Sequence, residues 1–370
     1  MKDKKGGLGF FGKIILWLNY ALCLALLLSY LAPYLDPRKA WLIAFFGLAY
    51  PPLLLFNIIA VVYWLLRRRL YFLLSVITIL IGYKVLLNNI GFRLPTIVAA
   101  STDPGVLRIM TYNAHDFKRY GSNNDISTKH EILELIKQNN PDIIGIQEFY
   151  TRKRGQYDMI DSIKKIMNSE FYYFEPFDVN YDQASGMAIF SRYPIFNFGL
   201  VSLSGKMTGN QCLFVDIQKN DKKIRLYSMH LQSIKFEPED YKYLGEVSKK
   251  GKTDMTATKR LGSKLKTAFL KRADQVYTVK AHAKECPYPY IYSGDFNDTP
   301  ASFAVNQMEV GMKNTFREKG SGLGRTYNGD FPNYQIDYIM VSPQFSVLGY
   351  DIIKKKLSDH YPVTAVVALK

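Results

Sequence analysis

Three long apolar runs open the chain and constrain it more than any other feature. Ile14–Leu35 carries no charge before Asp36, Ala40–Leu66 carries none before Arg67, and Leu70–Leu87 is interrupted only by Lys84. A helix needs about 20 apolar residues to cross the hydrocarbon core of a bilayer. The runs therefore predict three transmembrane helices, over about 14–35, 41–66 and 70–87. The 27 uncharged residues of the second run exceed an ordinary core helix, which argues against a buried hairpin of a water-soluble domain. Lys84 sits close enough to an end to snorkel, and Pro51 and Pro52 predict a kink in the second span. Ser29-Tyr30-Leu31 offers no small-residue cleavage site, so the first run reads as a span rather than a removed leader.

Basic residues suggest the orientation. Lys2, Lys4, Lys5 and Lys13 flank the first run, and Arg67-Arg68-Arg69 follows the second. Placing both groups in the cytoplasm obeys the positive-inside rule. With a third crossing, the remainder of the chain lies on the extracytoplasmic side of the inner membrane; a third run lying only in the interface would keep it inside. The net charge of +16 has to be read against this division, because residues 1–95 hold 11 Lys/Arg and 2 acids of the 48 and 32 in the chain. Residues 96–370 are left at about +7, a balance that does not separate a nucleic acid partner from an anionic lipid or a solvated surface. The three cysteines, Cys23, Cys212 and Cys286, have neither zinc nor redox spacing.

After the apolar region, residues 95–105 (PTIVAASTDPG) read as a linker, and 106–370 as one domain. Short apolar runs predict strands at Val106–Tyr112, Asp142–Ile146, Met187–Phe190, Cys212–Ile217, Ile224–Met229, Tyr288–Ser293, Ile336–Val341 and Val363–Leu369. Lys129–Lys137 has helical spacing and stops at Asn139-Asn140-Pro141. Strands outnumber helices and most are joined by tight turns, which implies an α/β domain of packed sheets rather than a doubly wound parallel sheet. Between Leu244 and Lys284 stand 11 Lys/Arg against 3 acids, with a loop expected over Ser248–Thr258 and a helix over Leu261–Lys284. That stretch reads either as a solvated helix face or as a surface for an anionic substrate or lipid headgroups.

The polar residues that end these runs carry the chemistry. Asn113 ends IMTYN, Glu148 ends IIGIQE, His230 ends RLYSMH, and Asp295 and Asn297 end IYSGDFN. Asp337 opens QIDYIMVS, and Asp359-His360 precede PVTAVVAL. Strand ends project from a rigid scaffold into a shared rim, so these side chains are candidates for one site. Cleavage of an anionic phosphate ester needs a cation at the phosphoryl oxygens, an activated water and help for the leaving oxygen. Oxygen ligands such as Glu148, Asn113 and Asp359 favour Mg²⁺ or Mn²⁺ over zinc. No H-E-x-x-H, cysteine pair or GxxxxGKS loop is present, so zinc-hydrolase and P-loop chemistries lack their parts.

The motifs TYN (111–113), QE (147–148), SGMAIFSRYP (185–194), SMHL (228–231), GDFND (294–298), IDYIMVS (336–342) and SDHYPV (358–363) occur in this order. Together they resemble the endonuclease/exonuclease/phosphatase superfamily, with Tyr112 standing where the first motif often has Trp. The resemblance implies a four-layer α/β/β/α sandwich of the deoxyribonuclease I kind, here behind three transmembrane helices. It implies Glu148 as principal metal ligand, with Asn113 beside it and Asp359 helping. Asp295 would orient or deprotonate the attacking water, and Asn297 would hold that water or a phosphate oxygen. His360, oriented by Asp337, would stabilise developing charge, and His230 would stand near the phosphate and leaving group.

The expected activity is that of a membrane-anchored Mg²⁺- or Mn²⁺-dependent phosphodiesterase of nuclease type. The alternatives are a lipid or small-molecule phosphoesterase of sphingomyelinase or phosphatase kind, and a silent phosphate-binding module. The filled acidic positions count against the last. NYQIDYIM around Asp337 differs from the PAWCDR-type motif of inositol polyphosphate 5-phosphatases. The expected partners are the phosphate ester, whether nucleic acid, lipid or small molecule, and the lipid bilayer.

Overall fold

The computed structural model describes residues 8–94, 105–119, 126–203, 208–251, 253–329 and 333–370. The linker expected over 95–105, except Gly105, and the basic residues Lys2, Lys4 and Lys5 lie outside them. The first apolar run forms α1 (Phe10–Ser29), whose 20 residues suffice by length and composition to cross a membrane. The other two runs correct the expectation of three continuous spans. The second divides at Ala49 into α2 (Pro37–Leu48) and α3 (Tyr50–Leu66), bent by 49°. The third divides at Gly82 into α4 (Phe72–Ile81) and α5 (Tyr83–Asn89), bent by 73°. Each pair reaches spanning length only if its two halves count as one span.

The breaks have local causes. Pro51 and Pro52 occupy the first turn of α3, where a missing N–H costs nothing, so they start a new helix instead of kinking a continuous one. At Gly82 a Cβ would fall 2.0 Å from the ring of Tyr30, whose hydroxyl donates to the Thr78 carbonyl at 3.0 Å. Buried polar side chains tie α1, α3 and α4 together. Asn19 donates to Ser75 Oγ at 2.7 Å, and Trp64 Nε1 donates to Asn19 Oδ1 at 2.9 Å. Such buried polar bonds add to the close packing of these helices.

The rest of the chain builds two six-stranded sheets and their flanking helices. Its strands are β1 (Val106–Asn113), β2 (Ile143–Arg152), β3 (Phe171–Asn180), β4 (Gln183–Ser191), β5 (Ile195–Val201) and β6 (Cys212–Lys219). They continue with β7 (Lys222–His230), β8 (Tyr290–Asp295), β9 (Lys313–Asn314), β10 (Asp337–Val341), β11 (Phe345–Ile352) and β12 (Val363–Leu369). The helices are α6 (Ile126–Asn139), α7 (Met159–Met167), α8 (Pro238–Lys250), α9 (Met255–Lys284), α10 (Phe303–Glu309) and α11 (Thr315–Lys319). One sheet runs β11-β12-β1-β2-β4-β3 and the other β5-β6-β7-β8-β10-β9.

Alternation along the strands sets the layers. Leu107 and Ile109 of β1 face Leu213, Leu226 and Ile339 in the core between the sheets. Met110 and Tyr112 face outward onto Ile132, Leu135 and Ile163 of α6 and α7. On the far side, Tyr227, Met229 and Met340 pack against Val276 and Val279 of α9 and Val305 of α10. The result is a mixed α/β domain in which two packed sheets lie between helical layers.

Several elements depart from the sequence reading. β3 is not among the strands expected from the sequence; it is an edge strand with a register shift beside Pro176, where a missing donor is tolerated. Gly349 likewise sits at a register shift in β11. The loop expected over Ser248–Thr258 is largely helical. Glu237 and Asp240 form a capping box at the start of α8, Gly251 closes it at φ 63°, and Asp254 caps α9 by accepting from Ala257 N.

α2 lies against the two-sheet α/β domain rather than among the other apolar helices alone. Arg38 pairs with Asp274 of α9 at 2.9 Å, and the rings of Phe45 and Phe269 meet edge-on with centroids 5.3 Å apart. Lys266 Nζ lies 4.4 Å from the centre of the Trp41 ring. At Gly47 a Cβ would fall 2.5 Å from Ala32 Cβ and 2.9 Å from the Ala301 carbonyl, so the backbones meet there with no room for a side chain. Gly91 and Gly322 exchange two backbone hydrogen bonds of 2.8 Å.

Candidate active site

Strand pairing carries the polar ends to one rim. β1 and β2 run parallel with Asn113 opposite Gln147, so Asn113 and Glu148 emerge side by side from the first sheet. In the second sheet β7 and β8 are parallel and β10 is antiparallel to β8. This register sets His230 opposite Asp295 and Asp295 opposite Asp337. Asp359 and His360 enter just before β12. Asn113, Glu148, His230, Asp295, Asn297, Asp359 and His360 line one cleft of about 240 Å³. Asp337 stands behind His360 and outside that lining.

The buried half of the cleft is a chain of charges. His360 Nδ1 lies 2.9 Å from Asp337 Oδ2, and its Nε2 lies 3.7 Å from Asp295 Oδ2. His230 Nε2 is 3.6 Å from the same Asp295 oxygen and 3.9 Å from Glu148 Oε1. Burial disfavours the imidazolium of His360, yet the charges of Asp337 and Asp295 outweigh it and hold its pKa well above the usual histidine value. Burial pushes the Asp295 carboxyl up to about 6, against the opposing pull of His360 and with the help of the Asp337 charge. Asp295 is thus a carboxylate poised near neutrality, and His360 a cation beside it.

The more open half is built around Glu148. Its φ of 49° and the register shift between Ile146 and Phe149 mark a bulge in β2 that turns the side chain toward the cleft. Asn113 Nδ2 donates to Glu148 Oε1 at 3.1 Å and lies 3.3 Å from Asp295 Oδ2, linking the two halves. Burial alone would raise the Glu148 carboxyl, but His115, His230 and Asn113 bring it down to about 2. His115 Nδ1 sits 3.4 Å from Glu148 Oε2 and 3.8 Å from Asp359 Oδ1. Its pKa is raised by the Glu148 hydrogen bond first, against burial, and by the Asp359 charge. An imidazole is therefore drawn between two carboxylates that would otherwise repel.

The site rests on a polar floor between the sheets. Gln147 donates to Ser228 Oγ at 3.0 Å and bonds Thr111, and a Cβ at Gly145 would fall 2.5 Å from that serine oxygen. Gly294 at φ 132° lets β8 pass β7 so closely that a Cβ would meet the Met229 carbonyl at 2.0 Å. Beyond Asp295, the Asn297 amide nitrogens bind the Leu231 carbonyl and Asp295. Buried Arg272 of α9 pairs with buried Asp298 at 3.2 Å and donates to the Gln232 carbonyl.

Sequence reasoning passed over four supporting residues. His115, two places after Asn113, leads a run of three positive-φ residues ending at Phe117; its signal was the histidine so close to TYN. Ser358 Oγ donates to the Asn113 carbonyl at 2.8 Å and accepts from His360 N, and the SDH motif contained it. Tyr327 packs edge-on against His360 at 5.2 Å, without any local sequence cue. Arg272 lay within a basic stretch read as one unit. Within that stretch Arg260 and Lys264 are also engaged internally, by Asp240 at 2.9 and 2.7 Å.

Two arrangements bear on metal binding. Asp295, Asp337 and His360 bring one ligand atom each within 4.8 Å of one another, but His360 and Asp337 already satisfy each other. Glu148 and Asp359 flank His115, and Asn113 Oδ1 accepts from the His115 backbone N–H, so three hard oxygen donors lie about that residue at the open side. A histidine drawn between the two carboxylates there indicates a position where positive charge is favoured. The donor chemistry fits a divalent cation of the magnesium kind at that position.

The comparisons with other proteins agree with this architecture. Residues 12–89 match a family described as Domain of unknown function (DUF8431). No curated protein matches the chain in sequence. In structure it is similar to an endonuclease/exonuclease/phosphatase from Beutenbergia cavernae, at 17% identity and TM-score 0.51, covering 71% of this chain and 72% of that one. It is similar also to family proteins from Bacteroides vulgatus (17% identity, TM-score 0.52, 72% and 99% covered) and Bacteroides thetaiotaomicron (18%, 0.51, 72% and 98%). At these identities the likeness concerns the fold alone. Residues 110–360, which contain every candidate site residue, match the Endonuclease/Exonuclease/phosphatase family. The chain belongs to that family of phosphoric ester hydrolases.

Proposed function

We propose that residues 106–370 catalyse divalent-metal-dependent hydrolysis of a phosphate ester, and that residues 1–94 anchor this domain to a membrane. The observation that carries the catalytic half is the position of Asp295. Its Oδ2 lies 3.7 Å from His360 Nε2, 3.6 Å from His230 Nε2 and 3.3 Å from Asn113 Nδ2. A carboxylate with a pKa near 6, surrounded by donors, is suited to take a proton from water at neutral pH.

Asp295 is the general base, and Asn297 helps to hold the water. As the new P–O bond forms, the bond to the leaving oxygen breaks and the water proton passes to Asp295. His360, kept cationic by Asp337, stabilises the charge that grows on the phosphoryl oxygens. His230, between Asp295 and Glu148, faces the leaving group. Glu148, Asp359 and Asn113 would hold Mg²⁺ or Mn²⁺, which when bound supplies Lewis-acid stabilisation of phosphoryl charge.

The anchoring half is supported by α1 and by the bundle it forms with α3 and α4. Lys13 and Arg67–Arg69 lie toward the end of the bundle away from Tyr50, which packs near Ala301 of the catalytic layers. Basic ends held in the cytoplasm by the positive-inside rule would support an extracytoplasmic catalytic domain. The test is hydrolysis of bis(4-nitrophenyl) phosphate and 4-nitrophenyl phosphate by the full chain with Mg²⁺ or Mn²⁺. Turnover should vanish with chelator and return with either ion. Chelator-resistant turnover would refute the metal-dependent reading.

A further inference from the structure

The cleft has a second end that the hydrolytic chemistry does not use. Besides the catalytic residues its lining includes the apolar Ile234, Phe236, Leu265, Phe269 and Leu48, with Ser233, Lys235 and Tyr241 among them. Leu48 is the last residue of α2, and it comes from the apolar N-terminal region rather than from the catalytic layers. Its position is fixed by close contacts. Gly47 leaves no room against Ala301, Phe45 meets Phe269, and Arg38 pairs with Asp274.

The apolar surface does not stop at the cleft. Leu31, Leu35 and Leu42 on and before α2 are each at least 40% exposed, and Leu55, Phe56 and Ile59 of α3 are each more than 50% exposed. Exposed apolar side chains thus occur on α3 and along the segment that leads to Leu48. Buried Arg272, the guanidinium in this lining, is engaged by Asp298 and by the Gln232 carbonyl. Exposed Lys235 also lines the cleft; one lysine beside five apolar side chains suits a single phosphate headgroup carrying a hydrocarbon chain better than a polyanionic strand.

We infer that the substrate is an amphipathic phosphate ester residing in the bilayer leaflet beside the catalytic domain, and that its apolar chain leaves the reacting phosphate along a wall completed by Leu48. The inference rests on the phosphoesterase and anchoring readings proposed above. It makes Leu48 a substrate-binding residue and gives the helical region a role in selection besides tethering. A nucleic acid substrate is the competing outcome.

The test uses the full chain in phosphatidylcholine nanodiscs with Mn²⁺ and a series of methyl, butyl and octyl 4-nitrophenyl phosphate diesters, followed by nitrophenolate release. Each methylene that leaves water for an apolar wall favours binding by about fourfold, so even partial burial should raise kcat/KM at least about tenfold from methyl to octyl. In Leu48→Asn the octyl-to-methyl ratio should fall at least about fivefold. Both proteins meet the same partitioning of ester into lipid, so the change in ratio reports the wall itself. A wild type that turns over the methyl ester with no dependence on chain length overturns the inference and leaves the phosphoesterase reading standing. So does a Leu48→Asn variant with the wild-type ratio, or faster cleavage of a single-stranded oligonucleotide than of the octyl ester. Absence of turnover for every ester with every metal refutes the phosphoesterase reading itself. If Leu48→Asn fails to fold, the wild-type series and Leu48→Ala decide the matter.

Discussion

His360 Nδ1 stands 2.9 Å from Asp337 Oδ2, with both side chains buried, while the opposite ring nitrogen faces Asp295. The carboxylate fixes the tautomer of the ring and favours its cationic form, so positive charge persists where burial alone would remove it. Removing that carboxylate should lower the histidine pKa. For Asp337→Asn we expect the alkaline limb of the pH–rate profile to move to lower pH and kcat to fall by about 10²-fold or more. Stopped assays from about pH 5 to about pH 10 check both. A slower enzyme with an unmoved alkaline limb would mean that Asp337 acts only through structure.

The acidic limb has a different owner. Asp295 must be ionised to accept a proton, and its carboxyl is pushed up to about 6 by burial. Activity of the wild type should therefore fall as pH drops through that region. Because a bound cation opposes protonation of nearby carboxylates, raising Mn²⁺ should shift the limb to lower pH. A pH–rate series at two metal concentrations reads this directly.

Glu148 is ionised down to about pH 2, held by His115, His230 and Asn113 despite burial. Glu148→Gln removes a charged ligand and should weaken Mn²⁺ binding by at least the roughly 10- to 100-fold cost of losing an outer-shell partner. Calorimetric titration of the full chain in detergent with Mn²⁺ measures the affinity without relying on turnover. His115→Ala should leave a measurable Mn²⁺ site, since its place between two carboxylates is one that a cation can take over.

Asp298 is buried with Arg272 as its cationic partner. Arg272→Ala strands that carboxylate and should cost about 3–5 kcal/mol of stability. Since Asp298 directly follows Asn297, turnover should fall as well. Thermal unfolding will show the first effect. The double variant Arg272→Met/Asp298→Leu should recover part of the stability, because no buried charge is left unpaired.

The convergence of the candidate side chains was legible because the strands that carry them are short and apolar. β1, β7 and β8 end at Asn113, His230 and Asp295, Glu148 stands at a bulge within β2 and Asn297 two places past β8, and the parallel pairs β1–β2 and β7–β8 bring them together. Asp337 was equally visible because β10 starts, rather than ends, at the rim. The layered α/β fold followed from the same alternation. What could not be read depends on contacts distant in sequence. Tyr327 reaches His360 across 33 positions, and β3 carries Pro176 because an edge strand tolerates it. The apolar runs predicted helices, and Pro51-Pro52 marked the bend in the second, but nothing in them marked the bend at Gly82. Gly82 yields to Tyr30, and Gly47 to Ala301, through packing that hydropathy does not encode.

The claim that this rim is a phosphoesterase active site is tested most directly by comparing the full-length wild type with His360→Ala and Asp295→Ala. The comparison uses 4-nitrophenyl phosphate esters and Mn²⁺, with circular dichroism to verify folding. The account predicts metal-dependent turnover in the wild type and a loss of about 10³-fold or more in each folded variant. Folded variants that retain near-wild-type turnover would contradict it.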